Sequence, residues 1–313
     1  MPPDSLPEAG PLRDLAVVIV NHNTSQLLAA CLSSLEAGGL EGVDAAIWVV
    51  DNASTDDSVQ MLRHQFPSVH LIASPDNLGF SAANNLALRA LGMDGPAPAC
   101  RHALILNPDT LVPAGAVAGL LAELAASPDI GVVGPKLILP DGSLDRACRR
   151  AFPTPEVSFY RFSGLSRLFP RHPRFGRYNM SHLDPDEPAD IDAVVGACML
   201  LRGEALAQVG LLDERFWMYG EDLDWCLRFH QAGWRVVYRP GVTVHHVKRA
   251  ASRASRRARF EFQRAMWLFY AKHYARQTNL PLHLLVVLGL SLRGGPRLLR
   301  EILTDRAAWG RKA

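Results

Sequence analysis

Apolar residues along this chain fall into short unbroken runs, separated by polar turns and by stretches of helical spacing. Residues 15–20 form the first run. Its β-branched content, without alternation, is that of a strand covered on both faces. The polar turn Asn21-His22-Asn23-Thr24 follows, and then helical spacing over residues 26–35. The same order recurs three times. Residues 45–50 precede Asp51-Asn52-Ala53-Ser54-Thr55-Asp56 and a helix through Leu62; residues 69–73 precede a helix beginning near Ser81; residues 103–106 precede Asn107-Pro108-Asp109-Thr110 and a helix over 114–125. This alternation predicts an α/β fold with a mostly parallel central sheet flanked by helices. The polar clusters stand at the carboxyl ends of the strands, where such sheets bind ligands.

From Ile130 to Ala193 the pattern loses its period among many prolines and arginines, and predicts loops and short strands around a site. Order returns over residues 192–202, followed by a helix over 204–209, the segment Phe216-Trp217-Met218-Tyr219-Gly220-Glu221-Asp222, a helix to about Ala232 and a strand over 235–238. Beyond His246, Phe260, Trp267 and Tyr274 recur at heptad spacing among arginines and lysines, which predicts an amphipathic helical extension. The division expected is a catalytic-type domain over 1–246, with halves at about 12–130 and 131–246, and a basic tail over 247–313.

Composition narrows the class. With 313 residues, 48% hydrophobic and 20% charged, the chain is neither disordered nor fibrous. Its net charge of +2 hides an asymmetry: 18 basic against 28 acidic residues up to His245, and 15 against 3 beyond it. A basic end on an acidic body predicts an anionic partner, phospholipid or nucleic acid. Five cysteines without a CxxC pair indicate neither a disulfide framework nor a zinc knuckle, and predict a reducing compartment. The opening MPPDSLPEAGPLRD lacks the basic and apolar regions of a secretory leader. The apolar run 280–292 is interrupted by Pro281, His283 and Gly289, so the expectation is a segment that lies on a membrane without crossing it.

Several clusters carry candidate chemistry. Asp109, delivered to the sheet edge by its strand, suits a hard divalent cation bridging phosphate oxygens, and suits a helix cap equally well. Asp51 can accept the N3–H of a pyrimidine or cap the next helix. Glu221-Asp222-Leu223-Asp224 gathers carboxylates beside Trp217 and Tyr219: like charges suit a general base for an acceptor hydroxyl, or complement a helix dipole. His245-His246 offers imidazole nitrogen to a metal at Asp109, or a structural pair. Neither GxGxxG nor GxxxxGK[ST] occurs, which disfavours dinucleotide and P-loop sites.

Taken in order, Val18-Ile19-Val20-Asn21-His22-Asn23, Val49-Val50-Asp51-Asn52-Ala53-Ser54-Thr55-Asp56, Asn77-Leu78-Gly79-Phe80-Ser81-Ala82-Ala83-Asn84-Asn85, Leu106-Asn107-Pro108-Asp109, Gly196-Ala197-Cys198-Met199-Leu200 and Phe216-Trp217-Met218-Tyr219-Gly220-Glu221-Asp222-Leu223-Asp224-Trp225-Cys226-Leu227-Arg228 resemble glycosyltransferase family 2, in particular its bacterial rhamnosyltransferase-like branch. The resemblance runs from about Leu15 to His246.

It implies a GT-A fold and inverting transfer of a sugar from a nucleoside diphosphate donor, assisted by Mg2+ or Mn2+. By the same resemblance Asn21 and Asn23 line the donor pocket, Asp51 contacts the base, Asn77 and Gly79 border the nucleotide, and Asn107 and Asp109 match the ends of the family's DxD motif. Asp222 matches the base with Glu221 beside it, and His245 is the metal ligand by register. Trp217, Tyr219 and Asp224 are the candidate acceptor contacts. The expected reaction is transfer of rhamnose from a dTDP-sugar to a glycan or polyprenyl-linked acceptor in cell-envelope polysaccharide synthesis. Transfer of a mannosyl, galactosyl or galactofuranosyl group, or an inactive scaffold, is the alternative. The arginines at 249, 253, 256, 257 and 259 would dock the protein on the cytoplasmic face of an anionic inner membrane, since no nucleic-acid-binding motif accompanies them.

Overall fold

A computed structural model describes residues 12–96, 98–247 and 256–305; Arg249 and Arg253 of the basic tail lie outside the described residues. Among those described, nine strands form one sheet: β1 (Arg13–Asn21), β2 (Ala45–Asn52), β3 (His70–Ser74), β4 (Cys100–Leu106), β5 (Thr110–Leu111), β6 (Ile130–Ile138), β7 (Ala189–Asp190), β8 (Cys198–Arg202) and β9 (Arg235–His246). Their order is β3-β2-β1-β4-β8-β6-β9-β5, with β7 also on β9. β3, β2, β1, β4, β6 and β9 run one way, and β8, β5 and β7 run against them. Helices α1 (Ser25–Ser34), α2 (Ser58–Gln65), α3 (Phe80–Ala90) and α4 (Ala116–Ala126) make the crossovers. Leu15, Val17 and Ile19 are as fully buried as Ala16 and Val18, so both faces of β1 are covered. That is why the strand reads as an uninterrupted apolar run.

The region expected to be irregular begins with β6, a nine-residue strand between β8 and β9. Its glycines and proline mask it in the sequence, yet the packing requires them. A Cβ on Gly134 would lie 2.4 Å from Val194 Cγ1, and Pro135 stands where the register with β9 slips from Arg239 to Thr243. Further on come α5 (Pro155–Phe162), whose start is capped by Thr154 Oγ1 accepting from Val157 N at 3.2 Å, and α6 (Leu165–Leu168). Then α7 (Gly203–Val209) and α8 (Glu221–Gln231) lead into β9.

The tail forms α9 (Arg256–His273) and α10 (Leu280–Thr304). Ala265 and Phe269 of α9 join the main core, while Trp267 and Tyr270 pack against Val287, Leu290, Leu298 and Ile302 of α10. α10 outruns the apolar segment expected from sequence: it has 25 residues and is long and apolar enough, by length and composition, to cross a membrane. Gly295, at φ 74° and ψ −173°, breaks it before Pro296. Residues 280–294 then span about 22 Å at ~1.5 Å per residue, less than the ~30 Å hydrocarbon layer.

Candidate functional site

β1 and β2 end side by side, with Asn21 opposite Asp51. Asn21 is completely buried: its Nδ2 donates to Asp51 Oδ1 (3.0 Å) and Ser54 Oγ (3.1 Å), and its Oδ1 accepts from Thr24 Oγ1 (2.6 Å). The expectation that Asn21 lines a pocket is therefore corrected. It braces Asp51 from behind, because a buried amide must spend its hydrogen bonds on neighbours. Asp51 also accepts from Ser54 N at 3.0 Å on Oδ2, so each oxygen holds one donor and keeps a second acceptor direction. Asn23 is exposed at φ 55° and accepts Thr55 N at 2.7 Å; Ala53 follows β2 at φ 61°. Left-handed non-glycine residues at two adjacent strand ends mark loops held in strained shapes by their hydrogen bonds.

Asn52 ties the next loop to this edge. Its Nδ2 donates to Asn77 Oδ1 (3.2 Å) and Gly79 O (3.1 Å), and its Oδ1 accepts from Leu78 N (2.8 Å). Gly79 has φ 84°, and a Cβ there would lie 2.4 Å from Trp217, so this position demands glycine twice over. The motif continues into α3 and holds the segment 212–217: Phe80 N donates to Trp217 O (2.7 Å), Ser81 Oγ to Phe216 O (2.6 Å) and Asn85 Nδ2 to Leu212 O (2.8 Å).

β4 runs into Asn107, whose backbone N donates to Ala197 O (2.9 Å) and whose carbonyl accepts from Thr110 Oγ1 (2.8 Å). β5 sets Thr110 against His246 and Leu111 against His245. Strand alternation turns the two histidines to opposite faces. His246 is buried, with Nε2 3.3 Å from Asp109 Oδ1 and Nδ1 2.8 Å from Asp145 Oδ2, whereas His245 is exposed. Of the two histidines it is thus His246, and not the His245 expected by register, that stands beside Asp109. Burial works against the charged imidazole, but the bonds to Asp109 and Asp145 outweigh it and raise His246 to about 9. No group of three or more His, Cys, Asp or Glu among the described residues forms a closed metal cage. Asp109 and His246 bring one hard oxygen and one imidazole nitrogen together. Asp145, bonded to Nδ1, orients the ring as an outer-shell partner orients a ligating histidine, and the oxygen and nitrogen of Asp109 and His246 are a donor pair that could hold a divalent cation.

Tyr219 (φ 70°) and Gly220 (φ 77°) turn the chain into α8. At its start, Asp222 Oδ2 accepts from Arg150 Nη2 (2.6 Å) and Gly196 N (3.2 Å), and Oδ1 accepts from Leu223 N (2.8 Å). Arg150, buried like its partner, also donates to Val194 O at 2.7 Å. Neighbouring Glu221 is buried, and its Oε2 has no hydrogen-bond partner among the described residues. Burial first, and the Asp222 charge second, push its carboxyl up to about 8. Glu221 therefore favours its neutral form far more than an ordinary glutamate does, while Asp222 carries the ion pair.

Trp217 stacks under the Arg257 guanidinium, 3.7 Å from the ring centroid, and Tyr219 meets Phe262 edge-on at 5.7 Å; both are partly exposed. Asp224, the third expected acceptor contact, is fully buried and bonded to Arg228 Nε (2.9 Å), Lys272 Nζ (2.6 Å) and His273 Nε2 (2.7 Å). That expectation is corrected: Arg228, Lys272 and His273 take up the carboxylate oxygens, and the bonds to Lys272 and His273 clamp α9 onto α8. Arg150, Asp145, Lys272 and His273 carry no local signal of these roles: all four act through partners 48 or more residues away, at separations no local pattern encodes.

A sequence model described as Glycosyltransferase like family 2 matches residues 11–265. The chain is 30% identical over 284 residues to the N-acetylglucosaminyl-diphospho-decaprenol L-rhamnosyltransferase of Mycobacterium tuberculosis, covering 89% of this chain and 91% of that one. It is 28% identical over 217 residues to the low-salt glycan biosynthesis hexosyltransferase Agl10 of Haloferax volcanii, 69% of this chain and 62% of the relative. Among solved structures, GalNAc-T7 with UDP, GalNAc and Mn2+ matches with a TM-score of 0.57 at 16% identity, over 95% of this chain and 58% of that one. The mannosyltransferase PcManGT from Pyrobaculum calidifontis, in complex with GDP-Man and Mn2+, matches with a TM-score of 0.55 at 18% identity, over 100% of this chain and 80% of that one. Both share the GT-A fold with this chain.

Proposed function

This chain belongs to glycosyltransferase family 2 and is rhamnosyltransferase-like, and from that premise we propose that it moves rhamnose from a dTDP-sugar to a polyprenyl-linked glycan acceptor, with inversion at the anomeric carbon, during cell-envelope polysaccharide synthesis. The observation that carries this reading is the alignment over 91% of a relative named for an N-acetylglucosaminyl-diphospho-decaprenol acceptor.

The residues divide the work. Asp51, held by Asn21 and Ser54, receives the base N–H, and Asn23, Asn77, Gly79 and Asn107 border the nucleotide. Asp109 and His246 would hold a divalent cation, Mg2+ or Mn2+, which when bound would supply charge neutralisation to the diphosphate leaving group. Asp222 takes the acceptor hydroxyl proton on the oxygen direction its three donors leave open, as the acceptor oxygen bonds to the anomeric carbon and the bond to the diphosphate oxygen breaks. Arg150 and the Gly196 N–H keep that carboxylate oriented, and Glu221, protonated, does not compete for the role. Trp217 and Tyr219 receive the acceptor sugar, with Arg257 covering one ring face. The two-part chain, 1–246 for chemistry and 247–313 for docking, sits at the cytoplasmic face of an anionic membrane, where a polyprenyl acceptor is presented.

Incubation with a panel of nucleotide sugars, with and without Mn2+ or Mg2+, tests the reading. Turnover confined to a dTDP-sugar and lost in Asp222→Asn and Asp109→Ala is expected. Turnover of a different donor overturns the sugar assignment, and indifference to both substitutions overturns the site.

A further inference from the structure

We infer that the groove between α9 and α10 is a phosphate site for the headgroups of an anionic bilayer, and that α5 shares the membrane footprint. This rests on the membrane-surface reading above and gives it a place and a chemistry. The groove, of about 290 Å3, is lined by Arg256, Arg259, Phe260, Arg293 and Gly294, with no carboxylate among them. Among the described residues none of these three arginines has a carboxylate within ion-pair distance, although Arg264 and Arg297 on the same two helices do. Three guanidiniums converging without a counter-charge attract a phosphate, which their planar forks bind well.

The surroundings select a lipid phosphate. α10 buries His283, Val287 and Leu290, whereas Leu285 (65% exposed), Leu288 (56%) and Leu292 (77%) point the opposite way at helical spacing. Arg293 lies 4.1 Å from the Phe162 ring centroid, which brings α5 against α10, and Phe159 of α5 is 62% exposed. Apolar side chains beside unpaired arginines match the boundary between acyl chains and headgroup phosphates. The break at Gly295 keeps α10 from continuing straight, as suits a helix lying in the interface.

The test is co-sedimentation of the full chain with phosphatidylglycerol/phosphatidylcholine vesicles. The partners are phosphatidylcholine vesicles, inorganic phosphate without lipid, and the variant Arg256→Gln/Arg259→Gln/Arg293→Gln. At about fivefold per arginine, the triple variant should bind the anionic vesicles roughly 100-fold more weakly and with a flatter salt dependence. Its melting temperature and its turnover of a soluble acceptor should be unchanged. A second variant, Leu285→Ser/Leu288→Ser/Leu292→Ser, should weaken binding while keeping the salt dependence. If the wild type ignores anionic vesicles, the membrane reading itself fails. If it binds and the triple glutamine variant binds equally, the groove assignment fails and the membrane reading stands. Release from the anionic vesicles by inorganic phosphate, at concentrations where chloride of equal ionic strength releases nothing, would make the groove a free-anion site and overturn the lipid assignment.

Discussion

Replacing Asp224 with Asn separates a structural clamp from an acceptor contact. Asp224 is wholly buried, and its carboxylate meets Arg228, Lys272 and His273, whose side chains are 18%, 22% and 5% exposed. Burial alone would raise the carboxyl, but the His273 hydrogen bond and the charges of Arg228 and Lys272 hold it below the usual aspartate range. Removing one partner of a buried pair costs about 3–5 kcal/mol. Lys272 retains Asp213 at 2.7 Å and some solvent, which places the expected loss near the lower figure, about 3 kcal/mol. With an unfolding entropy of ~2.1 cal/mol/K per residue, this corresponds to a drop of about 4–5 °C in melting temperature. The assay is thermal denaturation at neutral pH, paired with the acceptor KM of the folded enzyme. Because the folded-state pKa is depressed, the clamp is in force above the ordinary aspartate range and is lost as pH falls through it, so the gap between wild type and variant should close only in acid. A double substitution with His273→Gln should cost less than the two single losses together. A melting temperature within about 1 °C of wild type, with a raised acceptor KM, would refute the clamp and restore Asp224 as an acceptor ligand.

Four further outcomes follow from the geometry. Asp222→Asn should lower kcat by roughly 10²–10⁴-fold with donor affinity retained, and Arg150→Met should lower kcat in the same direction; a wild-type kcat in either would remove that residue from proton transfer. Gly79→Ala places a methyl 2.4 Å from Trp217 at φ 84°, and should destabilise by about 2–4 kcal/mol in denaturant unfolding through overpacking and left-handed strain; an unchanged midpoint would show that the Trp217 loop yields freely. In Glu221→Gln, the melting temperature relative to wild type should rise from about pH 5 to about pH 8 and then level off, because over that range the raised carboxyl holds a proton that the unfolded chain has released, so wild-type stability falls as pH climbs toward 8; parallel curves would contradict a raised pKa. His246→Ala should abolish metal stimulation of transfer and His245→Ala should leave it intact, as read by titrating Mn2+ into chelated enzyme; the reverse pattern would return the role to His245.

Much of the fold was legible because its first half obeys local rules. The runs that became β1, β2 and β4 are apolar throughout because both sheet faces are covered, and each ends in a polar loop at the carboxyl edge. β6 was hidden because Gly131, Gly134 and Pro135 answer to neighbours across the sheet, Trp234, Val194 and the bulge in β9, and their local signal is that of a turn. The length of α10 was missed for a similar reason: Pro281 at its start and Gly289 within it read as interruptions, whereas the Asn279 cap and packing on α9 carry the helix through.

The candidate site divides along the same line. By itself the sequence determined which residue types reach the sheet edge, Asp51, Asn77, Asp109 and Asp222 among them, because strand ends and helix starts are local events and the motifs are contiguous. Which of those groups face a ligand and which serve as struts was decided only by tertiary structure. Asn21 and Asp224 became internal braces, His246 rather than His245 came to lie beside Asp109, and Arg150 joined Asp222 across a separation of 72 residues. A side chain's hydrogen-bond capacity is fixed by its chemistry, but how much of it neighbours consume depends on packing between distant segments, and that remainder is what a substrate meets.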